Sequence, residues 1–166
     1  MALITRNGFG QVEPNHLSAQ RTGQIYAQLP ANEEILALEN GMFVKYDYAK
    51  NEVNFDGEGE FMLVLNEVKL YDERHTYKDF RMVATDYADG KMYPRVFKTN
   101  VGDIYTTNMV DSKVDMVAGT TQLSPNGEGI LTTAGTEGTD AAMVWNVVKV
   151  YTMPDGQPAV KIQRIK

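Results

Sequence analysis

MVWNVVKVYTMPDGQPAVKIQRIK, residues 143–166, decides the fold class of this chain. Its central residues 153–157 (MPDGQ) place proline and glycine where a tight chain reversal requires them, and an apolar segment lies on each side. Side chains alternate between the two faces of a strand, and Val160, Ile162 and the Arg164 side form the cleaner inward set. The stretch therefore predicts an antiparallel hairpin.

Segments upstream of this hairpin carry the same signals. β-branched and aromatic residues are concentrated, between turn-forming residues, in 42–48, 60–71, 80–87, 92–99, 103–110, 113–117 and 129–133. The segment NEEILALENG differs, because Asn32 can cap a helix and Gly41 can end one, so we expect one short helix there. We predict an all-β fold, an antiparallel barrel or sandwich, with this helix and an extended N-terminal arm.

The first 32 residues form the predicted arm. Their apolar residues are spread singly among amides, glycines and hydroxyls, so neither the helical nor the strand period fits. A segment of this kind cannot bury itself, and it needs a surface that supplies its missing partners. With 166 residues and 43% hydrophobic content, the chain suits one domain with a real core. We predict an arm at 1–32 and a single β-rich domain at 33–166.

Composition excludes several classes of function. The chain has no cysteine, which excludes disulfides, thiolate metal sites and cysteine nucleophiles. A net charge of −6 argues against nucleic acid as a partner, because that affinity depends on clustered lysine and arginine. The opening residues lack the pattern of a secretory signal, and no apolar run approaches membrane-spanning length. We expect neither nucleic acid nor a membrane as partner.

Residue types that support catalysis are sparse. The only histidines are His16, in the arm, and His75, in a charged stretch, and neither has an evident partner to make it a base. Three alternate carboxylates between Asp56 and Glu60 favour a solvated turn, while weak calcium binding stays open there. Residues 135–139 are glycine-rich but lack the lysine and hydroxyl residue of a phosphate loop. We predict no enzyme activity, no cofactor and no metal centre.

Three segments carry a resemblance to a known family. They are the arm TRNGFGQVEPNHLSAQRTGQIYAQLP, then LENGMFVKYDYAKNEV, and later RVFKTNVGDIYTTN. Together they resemble the small structural head proteins of tailed bacteriophages, of the type called capsid decoration or cement proteins. In such proteins a β-rich body docks on the outside of the shell, and a terminal arm reaches across neighbouring subunits. The phrase LENGMFVKYD is similar to their first barrel strand.

The resemblance implies a virion protein of the phage head, assembled in the host cytoplasm, without catalysis. Its partners would be the major capsid protein and neighbouring copies of itself, as a homo-oligomer on the shell. Arm side chains would make these contacts. The apolar anchors, expected to enter grooves of a neighbouring subunit, are Phe9, Ile25, Tyr26 and Leu29. The polar residues, expected to bond backbone groups along the path, include Arg6, Gln11, Arg21 and Gln24.

A carbohydrate-binding or host-adhesion module on the virion surface is the alternative. Residues 119–140 are rich in glycine, threonine, serine and asparagine, which indicates surface loops around one short strand. Aromatic rings stack on the apolar faces of sugars. The rings that could do so are those of Tyr46, Tyr48, Tyr71, Tyr77, Tyr87, Tyr93, Tyr105 and Trp145.

Overall fold

The fold is all-β. A computed structural model describes residues 3–6, 8–13, 28–66, 81–136 and 138–166. The strands within these ranges are β1 (Val12–Glu13), β2 (Ala37–Leu38), β3 (Phe43–Asp47), β4 (Glu52–Asn54), β5 (Glu58–Val64), β6 (Met82–Val83), β7 (Val96–Phe97), β8 (Ile104–Thr107), β9 (Gln122–Pro125), β10 (Leu131–Thr133), β11 (Trp145–Thr152) and β12 (Pro158–Arg164). Every ladder between them is antiparallel, so the predicted fold class is confirmed.

The largest sheet is built on the predicted hairpin. Its six strands lie in the order β1-β8-β12-β11-β9-β10, with β11 and β12 paired from Trp145↔Arg164 to Thr152↔Pro158. Val160 and Ile162 are fully buried and Arg164 is nearly so, which confirms the predicted inward face of the last strand. Trp145 packs edge-on against Tyr105 at 5.1 Å, in the centre of the core beneath this sheet.

A four-stranded sheet, β4-β3-β5-β7, is buried on both faces. Along β5, Phe61 and Leu63 join the core beneath the six-stranded sheet, whereas Met62 and Val64 join a second apolar cluster. Side chains of a strand alternate between faces, so a strand covered on both sides needs a continuous apolar run, as in FMLVL. The second cluster lies under residues 29–38 and 82–96.

The predicted helix at residues 32–41 is wrong. Asn32 does cap a turn, accepting hydrogen bonds from the backbone N–H of Glu34 at its side chain and of Ile35 at its carbonyl. The chain then extends into β2, which pairs with β6. An isolated helix of ten residues is marginal, so burial of Ile35 and Leu38 against the second cluster outweighs local helix propensity.

Strand boundaries also differ from the sequence pattern in several places. Residues 113–117 form a turn with an isolated bridge at Asp115, rather than a strand. The predicted loop region 119–140 contains two paired strands, β9 and β10, instead of one. Of the segment 80–87, residue 80 lies outside the described residues and the remainder contributes the short β6, followed by a 3-10 helix at Ala84–Asp86. The segment 92–99 contributes only β7. Within the described parts of the chain, no helix is long and apolar enough to cross a membrane.

Candidate functional site

The described residues of the arm add a strand to the edge of the six-stranded sheet. Val12 pairs with Thr107 and Glu13 pairs with Thr106, so β1 extends the sheet beyond β8. The Thr107 hydroxyl donates to the Gln11 carbonyl at 2.8 Å, which holds the chain just before the ladder begins. Main-chain pairing at a sheet edge is a general way to bind an extended segment.

Asn108 fixes the arm with a fully buried side chain. Its Oδ1 accepts the backbone N–H of Gln11 at 2.8 Å, and its Nδ2 donates to the Phe9 carbonyl at 3.2 Å. The same Nδ2 donates to Gln157 Oε1 at 3.1 Å. One amide thus satisfies backbone groups on both sides of Gly10, where no regular ladder could reach them.

The turn of the β11–β12 hairpin completes this contact. Asp155 Oδ2 accepts from Gln11 Nε2 at 3.0 Å and from Gln157 Nε2 at 2.8 Å. Although desolvation by burial opposes the shift, the hydrogen bonds from Gln157 and Gln11 lower the pKa of Asp155 below its ordinary value. The carboxylate is therefore held in its charged form as the acceptor that joins turn and arm.

Glu39 holds the arm upstream of this point. Its Oε2 forms an ion pair with the Arg6 guanidinium at 2.5 Å and also accepts a hydrogen bond from the backbone N–H of Gly10. Gly10 lies so close to the body that a Cβ would clash with Met109 Cε and lie 2.5 Å from the Asn40 carbonyl oxygen. We refer to Glu39, Thr107, Asn108, Asp155 and Gln157 as the clasp.

Four predicted partner-binding residues lie on this chain's own body. Arg6 and Gln11 are held by the clasp, and the Phe9 ring lies under the Arg81 guanidinium at 5.1 Å. Leu29 is buried in the second apolar cluster. The other four, Arg21, Gln24, Ile25 and Tyr26, lie outside the described residues. A role between subunits stays a prediction for all eight.

Sequence reasoning missed the clasp itself. Asn108 follows strand β8, and Asp155 and Gln157 lie in a predicted turn, so each has an ordinary local explanation. One signal was available for Asn108. An amide that directly follows a strand can be buried, and a buried amide requires hydrogen-bond partners. The register between β12 and β8 places Val160 opposite Thr107. This register brings the turn of the β11–β12 hairpin and the end of β8 to the same place, where both contact the arm.

Other predicted sites are less well supported by the geometry. In Asp56–Glu60, Glu58 points to solvent, whereas Glu60 is engaged by Lys98 at 2.5 Å and by Arg164 at 2.8 Å. Among the residues that the structure describes, no group of three or more histidine, aspartate or glutamate side chains could hold a metal ion. His16 and His75 both lie outside the described ranges.

Three of the eight rings predicted for a sugar-binding surface are closed to solvent. Tyr46, Tyr105 and Trp145 are buried in the core, so they cannot stack on a ligand from solvent. Tyr48 is exposed and stacks on Tyr46 with ring centroids 5.4 Å apart. Tyr87 and Tyr93 are partly buried, and Tyr71 and Tyr77 fall outside the described residues. Tyr48, Tyr87 and Tyr93 are the described rings that a ligand could still reach from solvent.

Comparisons with known proteins add no family assignment. No family model matches the chain, and no significant match is found among curated proteins or among solved structures.

Replacing Asn108 by alanine is expected to release the arm. The substitution removes the hydrogen bonds of Asn108 to the Gln11 N–H, the Phe9 carbonyl and Gln157 Oε1, and we expect a loss of about 1–3 kcal/mol. Urea unfolding and amide exchange at residues 9–12 measure the effect. Gln11→Ala is the matched control, because it removes only an exposed side-chain bond. Equal protection of residues 9–12 in N108A and the unmodified chain would contradict this role.

Proposed function

We propose that this chain is a structural protein of a tailed-bacteriophage head, which binds the major capsid protein and neighbouring copies of itself and stabilises the shell without catalysis. On this view it belongs to the virion and assembles in the host cytoplasm. The sequence resemblance to decoration proteins supports this view. The observation that carries it is the clasp, a set of polar groups with Thr107, Asn108 and Gln157 buried, which binds an extended arm.

The arm is fixed on both sides of residues 14–27. On one side β1 pairs with β8. On the other side Gln28 Nε2 donates to the Tyr93 carbonyl at 2.7 Å, and Leu29 is buried. Residues 14–27 are therefore tethered at both ends to one body. Tethering lowers the entropy lost on binding and raises the effective concentration of a contact segment.

The two flanks and the tethered segment have different proposed roles. Arg6, Phe9, Gln11 and Leu29 hold the segment in place, in keeping with their contacts to the body. The predicted residues between the flanks would contact neighbouring subunits on the shell. They are Arg21, Gln24, Ile25 and Tyr26. Adjacent apolar and aromatic side chains are suitable anchors for such a contact.

The double substitution Ile25→Ser with Tyr26→Ser is expected to weaken shell binding by roughly ten-fold or more, because truncating apolar anchors at an interface commonly costs over 1 kcal/mol. Occupancy is measured by co-sedimentation with shells assembled from the major capsid protein that co-purifies with the chain. Leu36→Ser is the matched control, since Leu36 is 84% exposed and lies beyond the arm. Undiminished occupancy in the double variant would overturn the role of the arm.

Co-purification tests the class of protein. The full-length chain, isolated from cells that produce it, should co-purify with a shell-forming protein in fixed ratio, and recovery without any such protein would overturn the proposal.

Deletion of residues 1–32 is a poor alternative test of the arm. It would remove Leu29 and Ala31 from the core, and with them the backbone bond from Ala31 to the Met92 carbonyl. Loss of binding would then be confounded with loss of the fold.

A further inference from the structure

Strand β11 has an open edge over its second half. Strand β9 pairs with it only at Trp145 and Asn146, and the last backbone bonds on that side join Val147 to Thr121 and Gly119. On the other side β12 pairs with β11 as far as Thr152. Beyond Val147, no described strand covers the outer edge of β11. Among the described residues, the main-chain groups of residues 148–152 that point away from β12 therefore have no strand partner, and such groups can template a further strand.

The side chains of this open edge suit strand addition. The register between β11 and β12 shifts between Val147 and Lys149, so Val148 is the extra residue of a β-bulge. Val148 is 42% exposed and Val150 is 37% exposed, so both present apolar surface to solvent. The edge therefore offers apolar contact area together with main-chain donors and acceptors.

The charge at this edge is positive in an otherwise acidic chain. Lys149 and Lys161 lie opposite each other in the register, and their ammonium groups are 5.8 Å and 5.5 Å from the ring centroid of Tyr151. Asp155 is the only carboxylate side chain in residues 141–166, and its Oδ2 accepts hydrogen bonds from Gln11 and Gln157. Pairing of two identical edges would bring these lysines together, which disfavours a second copy.

We propose that residues 148–152 accept an extended acidic segment of another protein as an added strand. Its carboxylates would face Lys149 and Lys161, and its aliphatic side chains would contact Val148 and Val150. Edge pairing supplies affinity, while the lysines select for the sign of the charge. This site lies on the opposite edge of the hairpin from the one that receives β8 and the arm, and it does not depend on the proposed function.

Nuclear magnetic resonance of the labelled full-length chain tests this site. The probe is a capped peptide of alternating glutamate and valine, and the control peptide carries lysine in place of glutamate. The glutamate peptide should shift the amide signals of residues 148–152 and slow their hydrogen exchange, whereas the lysine peptide should do neither. Shifts without slowed exchange, or equal effects of the two peptides, would overturn strand addition.

Charge reversal provides the matched variant. Lys149 is exposed, so the Lys149→Glu variant should retain the fold. Its affinity for the glutamate peptide should fall by roughly ten-fold, and its affinity for the lysine peptide should rise. Undiminished binding of the glutamate peptide to K149E would overturn the assignment. A concentration-dependent doubling of the mass of the unmodified chain, abolished by Val150→Lys, would assign the edge to a second copy instead and would also overturn it.

Discussion

Arg164→Met is expected to lower the free energy of unfolding by about 3 kcal/mol, because loss of the buried guanidinium removes the donor of several hydrogen bonds at once, and a buried group left without its partner costs about 1–3 kcal/mol. The Arg164 guanidinium is nearly buried and bonds Glu60 Oε2 at 2.8 Å, the Thr99 hydroxyl at 2.9 Å and the Thr99 carbonyl at 2.5 Å. It joins the last strand of the six-stranded sheet to β5 of the four-stranded sheet. Urea unfolding followed by tryptophan fluorescence measures the loss.

Lys98→Met is the matched control for this prediction. Lys98 contacts the same carboxylate, at 2.5 Å, but its side chain is 44% exposed, so we expect a loss below about 1 kcal/mol. The two variants separate the buried partner of Glu60 from the solvated one. If K98M destabilises the chain as much as R164M, the buried position of Arg164 is not the source of the effect.

Acid should weaken the same contact. Partial burial of Glu60 opposes ionisation, but hydrogen bonds from Lys98 and Arg164 outweigh it and lower the pKa of the carboxyl below its ordinary value of 4.5. A carboxyl with a lowered pKa in the folded state stabilises the fold above its unfolded pKa, and this contribution disappears as the pH falls through the folded pKa. The stability difference between the unmodified chain and Glu60→Gln should therefore shrink below about pH 4.5. A difference that is constant down to pH 3 would contradict it.

Gly129→Ala is expected to cost about 3 kcal/mol, through left-handed backbone strain and a steric conflict with the opposing sheet. Gly129 has a φ of +73°, and its carbonyl accepts the backbone N–H of Phe43 at 2.8 Å. A Cβ there would clash with the Phe43 carbonyl oxygen and lie 2.8 Å from Phe55 Cε1. To relieve the clash, the loop that precedes β10 would have to move away from strand β3. Thermal and urea unfolding measure the effect.

Gly127→Ala is the control for Gly129. It lies two residues away in the same loop, and a Cβ there meets nothing within 4 Å. We expect a change within about 0.5 kcal/mol, the usual range for surface substitutions. Comparable losses in G127A and G129A would indicate that the loop, and not its approach to Phe43, is sensitive to substitution.

Sequence patterns predicted those parts of the fold in which local and tertiary preferences agree. In the closing hairpin, alternation and turn chemistry both require β11 and β12, and the inward face follows from Val160 and Ile162. At residues 32–41 the two preferences disagree. The capping signal at Asn32 is real and forms a turn, but burial of Leu38 beside β6 determines the extended structure that follows.

The candidate site was predictable only in outline. An aperiodic arm needs a surface, and this need can be recognised from residues 1–32 alone. The clasp that binds the arm cannot be recognised in this way, because Glu39, Asn108 and Asp155 come from segments far apart in sequence. The same limit applies to the open edge of β11, since a strand's periodicity does not reveal where its neighbour ends.

The sequence by itself determined the all-β class, the closing hairpin and its inward face, and an arm that requires a partner surface. These follow from residues near one another in the chain, whose alternation, turn preferences and lack of period are local properties. Only the tertiary structure decided that Arg164 joins two sheets, that Gly129 contacts β3 and that the clasp holds the arm. Each of these depends on strand order and register, which are set by burial across the whole chain.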